Sequence, residues 1–270
     1  MAITAADVKK LRDATGAGMM DAKKALTEAD GDFDKAVDLL RVSGAAKAAK
    51  RSDREASNGL VAAAGTTLVH IGSETDFVAK NAEFVEAAEQ IAQAAEKAGA
   101  NSREEANAAT LDDGRTVAEV LSDLAGKIGE KIELADAAHV EGTSHVYLHR
   151  RSPDLPPQVG VLVEYEGDDA EAVHGTCLQI AAMSPRWLSR EDVPADVVEH
   201  ERTVAADTAR EEGKPDKIID RIVEGRLNGF YKENCLLEQP AISDDKKAVG
   251  DLLDAAGVTV TRFVRFSAGE

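Results

Sequence analysis

The sequence predicts an α+β protein with an N-terminal bundle of three helices, a core of two related α+β subdomains with antiparallel sheets, and an inserted helical hairpin. Three observations support this fold class. The chain opens with short helical patterns that are separated by glycine-containing breaks. From residue 60 onward, runs of apolar residues predict strands that are interleaved with amphipathic helices. A later stretch, residues 193–232, has helical periodicity on both sides of a Gly-Lys-Pro break.

Residues 1–55 are predicted to form an N-terminal helical domain and its linker. Thr4, with Asp7 three residues later, predicts the N-cap of a first helix. The glycine-rich stretch 15–18 interrupts that helix, and a second and a third helix follow, the third opening at "DFDKAVDLL". The segment after them is small and charged and lacks an apolar stripe, which is typical of a helical tail that passes into a linker.

Residues 56–150 are predicted to form the first core subdomain. The stretch "GLVAAAGTTLVHIG" predicts a β-hairpin that turns near Gly65. Two amphipathic helices follow, and the second begins with a capping box of Thr116 and Glu119. The stretches "IELADAAHVE" and "SHVYLH" predict two further strands.

A faint internal repeat predicts the second core subdomain, which begins with residues 151–192. Residues 159–184 repeat the order of strand, acidic turn and amphipathic helix that is found in the first half. At the turn, the first copy has Phe77 where the second has Asp169. A phenylalanine at the turn is therefore not required by the architecture, and we expect Phe77 to be at least partly exposed.

Residues 193–232 are predicted to form an antiparallel helical hairpin that projects from the body. The two helical stretches carry a narrow apolar seam with charged flanks. The residues assigned to this seam are Val197, Val204 and Thr208 on one side and Ile218, Ile222 and Val223 on the other.

The second core subdomain is predicted to resume after the hairpin, over residues 233–270. "NCLLEQPAI" is assigned to a strand, "DDKKAVGDLLDAAG" to a short helix and "VTVTRFVRF" to a half-buried final strand.

Composition restricts the classes of function. The net charge of −18 argues against a protein held on nucleic acid by phosphate contacts. Cys177 and Cys235 have no short-spaced partner, so we expect two reduced thiols rather than a disulfide framework or a zinc site. The N-terminus lacks the apolar segment of a signal peptide, and later segments fall short of a membrane span. These features predict a cytoplasmic protein.

The motifs that usually indicate an enzyme are missing from the sequence. It contains neither a G-x-S-x-G elbow nor a phosphate-binding loop with dinucleotide or Walker spacing. His145 and His149 lie four residues apart, but on a predicted strand this spacing only places them on one face. The sequence therefore predicts a protein that is not an enzyme and that holds no cofactor and no metal.

Exposed apolar residues are the remaining functional signal. Met19 and Met20 stand in the first turn of the second helix, where adjacent side chains diverge by about 100° and both can hardly enter one small core. Such pairs suit an adaptable contact surface. Two alternatives stay open: one Met is buried and the other incidental, and Phe77 folds back on its own helix.

Three motifs, in order along the chain, resemble the bacterial translation elongation factor Ts family. They are "LRDATGAGMMDAKKAL" near the N-terminus, "TDFVAKN" after the hairpin, and "GKPDKIIDRIVEGRLNGF" in the helical insertion. The resemblance implies that the N-terminal bundle is of the ubiquitin-associated (UBA-like) type. It also implies that the insertion is an antiparallel coiled coil.

The resemblance further implies guanine-nucleotide exchange on the GTPase elongation factor Tu, in its GDP-bound and nucleotide-free forms. In that family the T-D-F-V turn is pushed between two helices of the GTPase, near its magnesium site. Carried over to this chain, Phe77 is the wedge and Asp76 disturbs the groups that hold Mg²⁺. The residues implied for this contact are Thr75, Asp76, Phe77, Val78, Ile128, Gly129 and His149.

A second contact is implied for the N-terminal domain. The patch that grips a helix of the GTPase matches Leu11, Arg12, Met19 and Met20. The 193–232 hairpin is expected to touch a distal domain of the same partner.

Two other functions compete with exchange. An adaptor or chaperone-like module would bind a GTPase through the Met patch but would have no use for Asp76 and Phe77. A carboxylate-based hydrolase would need a pocket focused on Asp or Glu and no wedge.

Overall fold

The computed structural model describes residues 3–49, 51 and 53–269 of the 270-residue chain. It contains helices and antiparallel sheets, so the predicted α+β class is confirmed. The chain divides into two compact units, formed by Met1–Glu141, Leu148–Gly160 and Phe266–Glu270, and by Gly142–Tyr147 and Val161–Arg265. The finer division into an N-terminal domain, two core subdomains and an inserted hairpin stays a prediction. The predicted linker includes Lys50 and Ser52, which lie outside the described residues.

The first three helices are α1 (Ala5–Thr15), α2 (Met19–Glu28) and α3 (Phe33–Ala49). The predicted N-cap at Thr4 is confirmed, and it forms a capping box: the backbone N–H of Thr4 donates to Asp7 Oδ2 at 2.9 Å, and that of Asp7 donates to Thr4 Oγ1 at 3.2 Å. Helix α1 ends at Gly16, whose φ of 68° is left-handed and favours glycine. The three helices share one apolar core of Val8, Leu11, Ala22, Ala25, Leu26, Ala29 and Ala36.

A three-stranded sheet with helices on it follows. Its elements are β1 (Asn58–Ala64), β2 (Thr67–Ser73), α4 (Asp76–Ala79), α5 (Ala82–Ala98), α6 (Arg103–Ala108), α7 (Val117–Ile128) and β3 (Ile132–His139). β1 and β2 form the predicted hairpin, and β2 also pairs antiparallel with β3, which gives the order β1-β2-β3. The last paired residues of β2 and β3 are Ser73 and Ile132. The sequence pattern misses α6, because six residues are too few to display an apolar stripe.

The apolar faces predicted for α5 and α7 are confirmed as the core of this sheet. Their buried members are Phe84, Ala88, Ile91 and Ala95 from α5, and Val117, Val120, Leu121 and Leu124 from α7. The predicted capping box at α7 is also present, with the backbone N–H of Thr116 donating to Glu119 Oε2 at 2.8 Å. Helix α7 is therefore fixed at its first turn and along one face.

Helix α3 crosses α7 at a close contact between two glycines. A Cβ built on Gly126 would lie 3.1 Å from the Cα of Gly44, which is closer than ordinary contact, whereas one built on Gly44 would lie 3.6 Å from the Cα of Gly126. A side chain at Gly126 would therefore push the two helices apart. Beside the crossing, Arg41 Nε lies 3.2 Å from Asp123 Oδ1. This contact joins the N-terminal helices to the helix that ends at Ile128.

The rest of the chain forms β4 (Ser144–His149), β5 (Val159–Glu166), α8 (Ala170–Met183), α9 (Ala195–Glu211), α10 (Asp216–Asn234), β6 (Pro240–Ala241), β7 (Asp244–Ala248), α11 (Val249–Ala256) and β8 (Thr259–Ser267). β4, β5 and β8 form a sheet in that order, and β6 pairs with β7. The final strand is confirmed. The short helix predicted at "DDKKAVGDLLDAAG" is confirmed only over α11, because Asp244–Ala248 forms β7. The apolar core here includes Val161, Val163, Val173, Cys177, Ile180, Leu236, Val249 and Leu253.

Helices α9 and α10 pack against each other, but the predicted seam is wrong in phase. The buried residues are Ala205, Ala209, Ile219, Val223 and Leu227, whereas Val204 and Ile218 are exposed. Of the seam predicted, Val223 is buried and Val197, Thr208 and Ile222 are half-buried. The prediction weighted large apolar side chains, but small alanines allow the helix backbones to approach closely and therefore set the packed face.

The strand predicted at "NCLLEQPAI" is largely wrong. Leu236–Glu238 form a 3₁₀ turn, and β6 contains only two residues. Pro240 lacks the N–H that a longer ladder needs, and the side-chain amide of Gln239 donates to the carbonyl of Glu233 at 2.8 Å. The N–H groups of Leu236 and Leu237 donate to the carbonyls of Trp187 and Leu188 at 2.9 and 3.0 Å, so this segment makes an isolated bridge instead of a full strand.

Candidate partner-binding site

The strand-to-helix junction after β2 is built on Thr75. Thr75 is the N-cap of α4, and its Oγ1 accepts from the backbone N–H of Val78 at 3.4 Å. Asp76 and Phe77 are the first two residues of this four-residue helix rather than parts of an open turn. The turn predicted at Asp76 and Phe77 is therefore the beginning of a short helix.

Phe77 projects from α4 into solvent. Its side chain is 80% exposed, whereas Val78 and Ala79, the next two residues, are buried against the core. The alternative in which Phe77 folds back on its own helix is wrong. One face of α4 is thus anchored, and the other presents a large apolar ring.

Asp76 lies beside Phe77 on the exposed side of α4. Its Oδ2 lies 3.0 Å from Lys80 Nζ, and both side chains are solvent-exposed. An exposed pair of this kind contributes little stability, so the carboxylate is readily available to a partner.

Two carboxylates hold the junction against the start of β3. Glu130 accepts from the backbone N–H of Thr75 at 3.0 Å through Oε2, and from Thr75 Oγ1 at 2.7 Å through Oε1. Glu74 Oε1 accepts from the backbone N–H of Lys131 at 2.6 Å, and both Glu74 oxygens lie 3.2 Å from Arg54 Nη1. The bond from Lys131, with a smaller contribution from Arg54, lowers the pKa of Glu74.

Ile128 and Gly129 lie directly before Glu130. Ile128 ends α7 and is partly buried against the core, and Gly129 caps the helix with a left-handed φ of 89°. The structure therefore brings the Ile128-Gly129 segment to α4 through the contact of Glu130 with Thr75. Sequence reasoning missed Glu74 and Glu130, and their signal appears only when Ser73 is known to pair with Ile132.

His149 is placed differently from these residues. It ends β4, it is exposed, and its backbone carbonyl accepts from the N–H of Gln158 at 2.9 Å. The bonds that hold Thr75 to Glu130 do not include it, so its role in the same contact stays a prediction.

The N-terminal patch is partly exposed. Met20 is 78% exposed and Met19 48%, so the alternative in which one of them is buried is wrong. Arg12 lies at the surface with its Nη2 2.8 Å from Asp13 Oδ1. Leu11, by contrast, is fully buried in the bundle core, because it shares the inward face of α1 with Val8. The assignment of Leu11 to a surface patch is therefore corrected: it belongs to the core of the three helices.

Comparison with known proteins identifies the chain. The model of the family described as elongation factor TS matches residues 74–270. The chain belongs to the elongation factor Ts family. It is 82% identical to elongation factor Ts of Cutibacterium acnes over the full length of both chains. It is 58% identical to elongation factor Ts of Saccharopolyspora erythraea and of Mycolicibacterium smegmatis, in each case over 99% of this chain and 98% of the relative.

Membership of the elongation factor Ts family confirms the resemblance drawn from three sequence motifs. It supports a role in the elongation stage of protein biosynthesis. The family match begins at Glu74 and so includes the whole α4 site. The Met19-Met20 patch lies before that match but within the aligned length of the relatives.

Other chemistry is sparse in the described part of the chain. Among those residues, no group of three or more His, Cys, Asp or Glu side chains is arranged to hold a metal ion. Cys177 and Cys235 are buried, and burial raises the pKa of their thiols to about 12 and about 11. Of the helices described, none is both long and apolar enough to cross a membrane.

Proposed function

We propose that this protein is a guanine-nucleotide exchange factor for elongation factor Tu, which it binds in the GDP-bound and nucleotide-free forms. The similarity of the chain to elongation factor Ts proteins supports the choice of partner. The observation that carries the proposal is the 80% exposure of Phe77, beside an exposed Asp76, on a helix whose other face is anchored. An exposed aromatic side chain on a helix that is held in place is suited to insertion into another protein.

The proposed mechanism is mechanical and electrostatic. Phe77 enters between two helices of the GTPase, and packed helices respond to intrusion by shifting as bodies. Asp76 then disturbs the groups that hold Mg²⁺, which bridges the nucleotide and the GTPase. Bound GDP loses charge stabilisation and leaves. No covalent chemistry is required, so the protein acts as an exchange factor rather than an enzyme and needs no cofactor.

Thermodynamic linkage sets the scale of the effect. A factor that binds the nucleotide-free GTPase more tightly than the GDP form weakens GDP binding by the same ratio. A coupling of about 4 kcal/mol corresponds to about a thousandfold.

The remaining surfaces extend the proposal. Arg12, Met19 and Met20 bind a helix of the GTPase, and Leu11, in the bundle core, helps to hold this surface in shape. Ile128, Gly129 and His149 line the contact around Phe77. The N-terminal bundle is of the UBA-like type, and α9 and α10 form a coiled-coil hairpin that touches a distal domain. The protein acts in the cytoplasm, where elongation takes place.

Stopped-flow release of a fluorescent GDP from the cognate elongation factor Tu tests the proposal. We expect wild type to accelerate release strongly and Phe77→Ala to lose at least about tenfold of that acceleration at saturating factor. Ile242→Ala serves as the control, because Ile242 is another exposed apolar residue and should leave release unchanged.

The same experiment separates exchange from the adaptor function. An adaptor would bind the GTPase through the Met19-Met20 patch, and GDP would leave at its unassisted rate. Release that is unchanged by wild type at saturating concentration therefore contradicts the exchange proposal. If Phe77→Ala binds more weakly but GDP still leaves its complex fast, the exchange function would stand, and insertion of Phe77 would not be the mechanism.

A further inference from the structure

Beyond the last ladder pair, the ends of β2 and β3 are joined by side chains. Ser73 pairs with Ile132, and the next two positions on each strand are Glu74-Thr75 and Lys131-Glu130. Each segment offers one backbone N–H to a carboxylate of the other: Lys131 to Glu74 at 2.6 Å, and Thr75 to Glu130 at 3.0 Å. We call this reciprocal arrangement of Glu74, Thr75, Glu130 and Lys131 the carboxylate clasp.

Within the clasp, Glu130 fixes the orientation of the Thr75 hydroxyl. That hydroxyl donates to Glu130 Oε1 at 2.7 Å, so its lone pairs are left to accept from the N–H of Val78 at 3.4 Å. Charge-assisted bonds of this kind are short and strong. Glu130 therefore sets the N-cap that starts α4.

Helix α4 depends on such support. Four residues are far too few for a helix to be stable by itself. Val78 and Ala79 attach its inner face to the core, but Phe77 is 80% exposed and is held mainly through the backbone that carries it. The direction in which Phe77 points thus follows from the N-cap and the clasp.

We infer that Glu130 is a positioning residue for Asp76 and Phe77, acting through Thr75. The inference rests on the proposed exchange function. Glu130 keeps the Phe77 ring and the Asp76 carboxylate oriented before the partner binds, so α4 does not have to become ordered within the complex. Its loss lowers the rate of GDP release inside the complex more than it lowers the affinity of the complex.

Glu130→Gln is the test variant and Glu133→Gln the control. Gln keeps the size of the side chain but loses the charge and one of the two acceptors that face Thr75. Glu133 lies three residues away and contacts the cations Lys131, at 3.0 Å, and Arg103, at 3.3 Å, instead of α4. At saturating factor we expect GDP release to slow about tenfold with Glu130→Gln, with affinity changed less than about threefold, and to be unchanged with Glu133→Gln.

Amide hydrogen exchange gives a measurement that does not depend on nucleotide release. The N–H of Val78 is protected by Thr75, so in Glu130→Gln the peptide around α4 should exchange about tenfold faster, with β1 and β2 unchanged. Equal acceleration throughout the sheet would show general destabilisation and would overturn the positioning role. So would unchanged exchange at α4.

Substitutions of Thr75 complete the test. Thr75→Ser keeps the hydroxyl and should release GDP within about twofold of wild type, whereas Thr75→Val loses it and should resemble Glu130→Gln. The double variant Thr75→Val/Glu130→Gln should be little slower than either single variant, because both break one interaction. Additive losses would contradict the inference. If wild type itself fails to accelerate release, the exchange function fails, while amide exchange still decides the role of the clasp.

Discussion

Two junctions in this protein lead from a strand into a helix, and they are held in different ways. After β2 the N-cap is Thr75, and after β5 it is Asp169, whose Oδ1 accepts from the N–H groups of Glu171 at 3.1 Å and Ala172 at 3.0 Å. The first junction enters a four-residue helix with Phe77 in solvent, and the second enters the 14-residue α8 directly.

The two junctions also close differently. At the second, Gly167 has a φ of 113°, and a Cβ there would lie 2.5 Å from the carbonyl oxygen of Gly257. Backbone therefore approaches backbone, and only glycine fits. At the first junction, Glu74 and Glu130 make the closing contacts. The junction that is closed by side chains leads into the short α4, which carries Phe77.

The largest expected difference is between two phenylalanines of the first junction. Phe84, in the first turn of α5, is 1% exposed, and Phe77 is 80% exposed seven residues earlier. Phe84→Ala should lower the free energy of unfolding by about 3–5 kcal/mol, because it leaves a cavity in the core. Phe77→Ala should change it by less than about 0.5 kcal/mol. Urea unfolding of both variants measures this, and a large loss for Phe77→Ala would make that ring a structural residue.

At the second junction, Gly167→Ala should be the most damaging small substitution. The added methyl meets the Gly257 carbonyl in a backbone conformation that alanine rarely adopts, so we expect a loss of about 2 kcal/mol in the free energy of unfolding. Gly175→Ala is the matched control: it lies inside α8, its new methyl meets nothing within 4 Å, and it should stabilise the helix by about 0.5–1 kcal/mol. Equal effects would mean that closure at Gly167 has no steric basis.

Much of the fold follows from local pattern. The capping boxes at Thr4 and Thr116, the β-hairpin and the stripes of α5 and α7 are encoded within a few residues each, and all are confirmed. The prediction of the α9–α10 seam was wrong because alanine carries a weak apolar signal but allows close packing. Helix α6 was missed because it is shorter than two helical turns.

The site was predictable only in part. Comparison of the two internal repeats predicted an exposed Phe77, because the second copy has Asp169 at that position and so does not need a phenylalanine there. Glu130 could not be found in this way, since it meets Thr75 across 55 positions and any acidic residue near it would have looked equivalent. Leu11 shows a limit of motif resemblance: the resemblance placed it in a surface patch, but it is buried with Val8 on the inward face of α1.

A smaller difference is expected between the aspartates of the two junctions. Asp169 accepts from two backbone N–H groups as the N-cap of α8, so Asp169→Ala should lower the free energy of unfolding by about 1 kcal/mol. Asp76 pairs with the exposed Lys80, and Asp76→Ala should lower it by less than about 0.5 kcal/mol. Thermal unfolding at neutral pH compares them. A larger loss at Asp76 would mean that this carboxylate stabilises α4 rather than staying available to a partner.

The smallest expected effect is a pH dependence of the free energy of unfolding in acid. The first junction is held by a carboxylate, which can be protonated, whereas the second is held by a backbone contact, which cannot. The pKa of Glu74 is lowered in the folded protein from its ordinary value of 4.5, chiefly by the N–H of Lys131. Its contribution to stability is then complete above pH 4.5 and is lost as the pH falls through the lower folded pKa. Glu74→Gln removes the titrating group, so its deficit against wild type should be below about 1 kcal/mol at pH 7 and should shrink in acid.

Gly167→Ala supplies the contrast, since it introduces no titratable group. Its deficit against wild type should be the same at pH 7 and pH 4, whereas that of Glu74→Gln should narrow steadily below pH 4.5. Urea unfolding of the three proteins between pH 3 and 7 measures both differences, and the remaining carboxylates cancel because they are common to all three. If the deficit of Glu74→Gln stays constant down to pH 3, the charge of Glu74 does not hold the first junction. That junction would then be closed by shape, as the second one is.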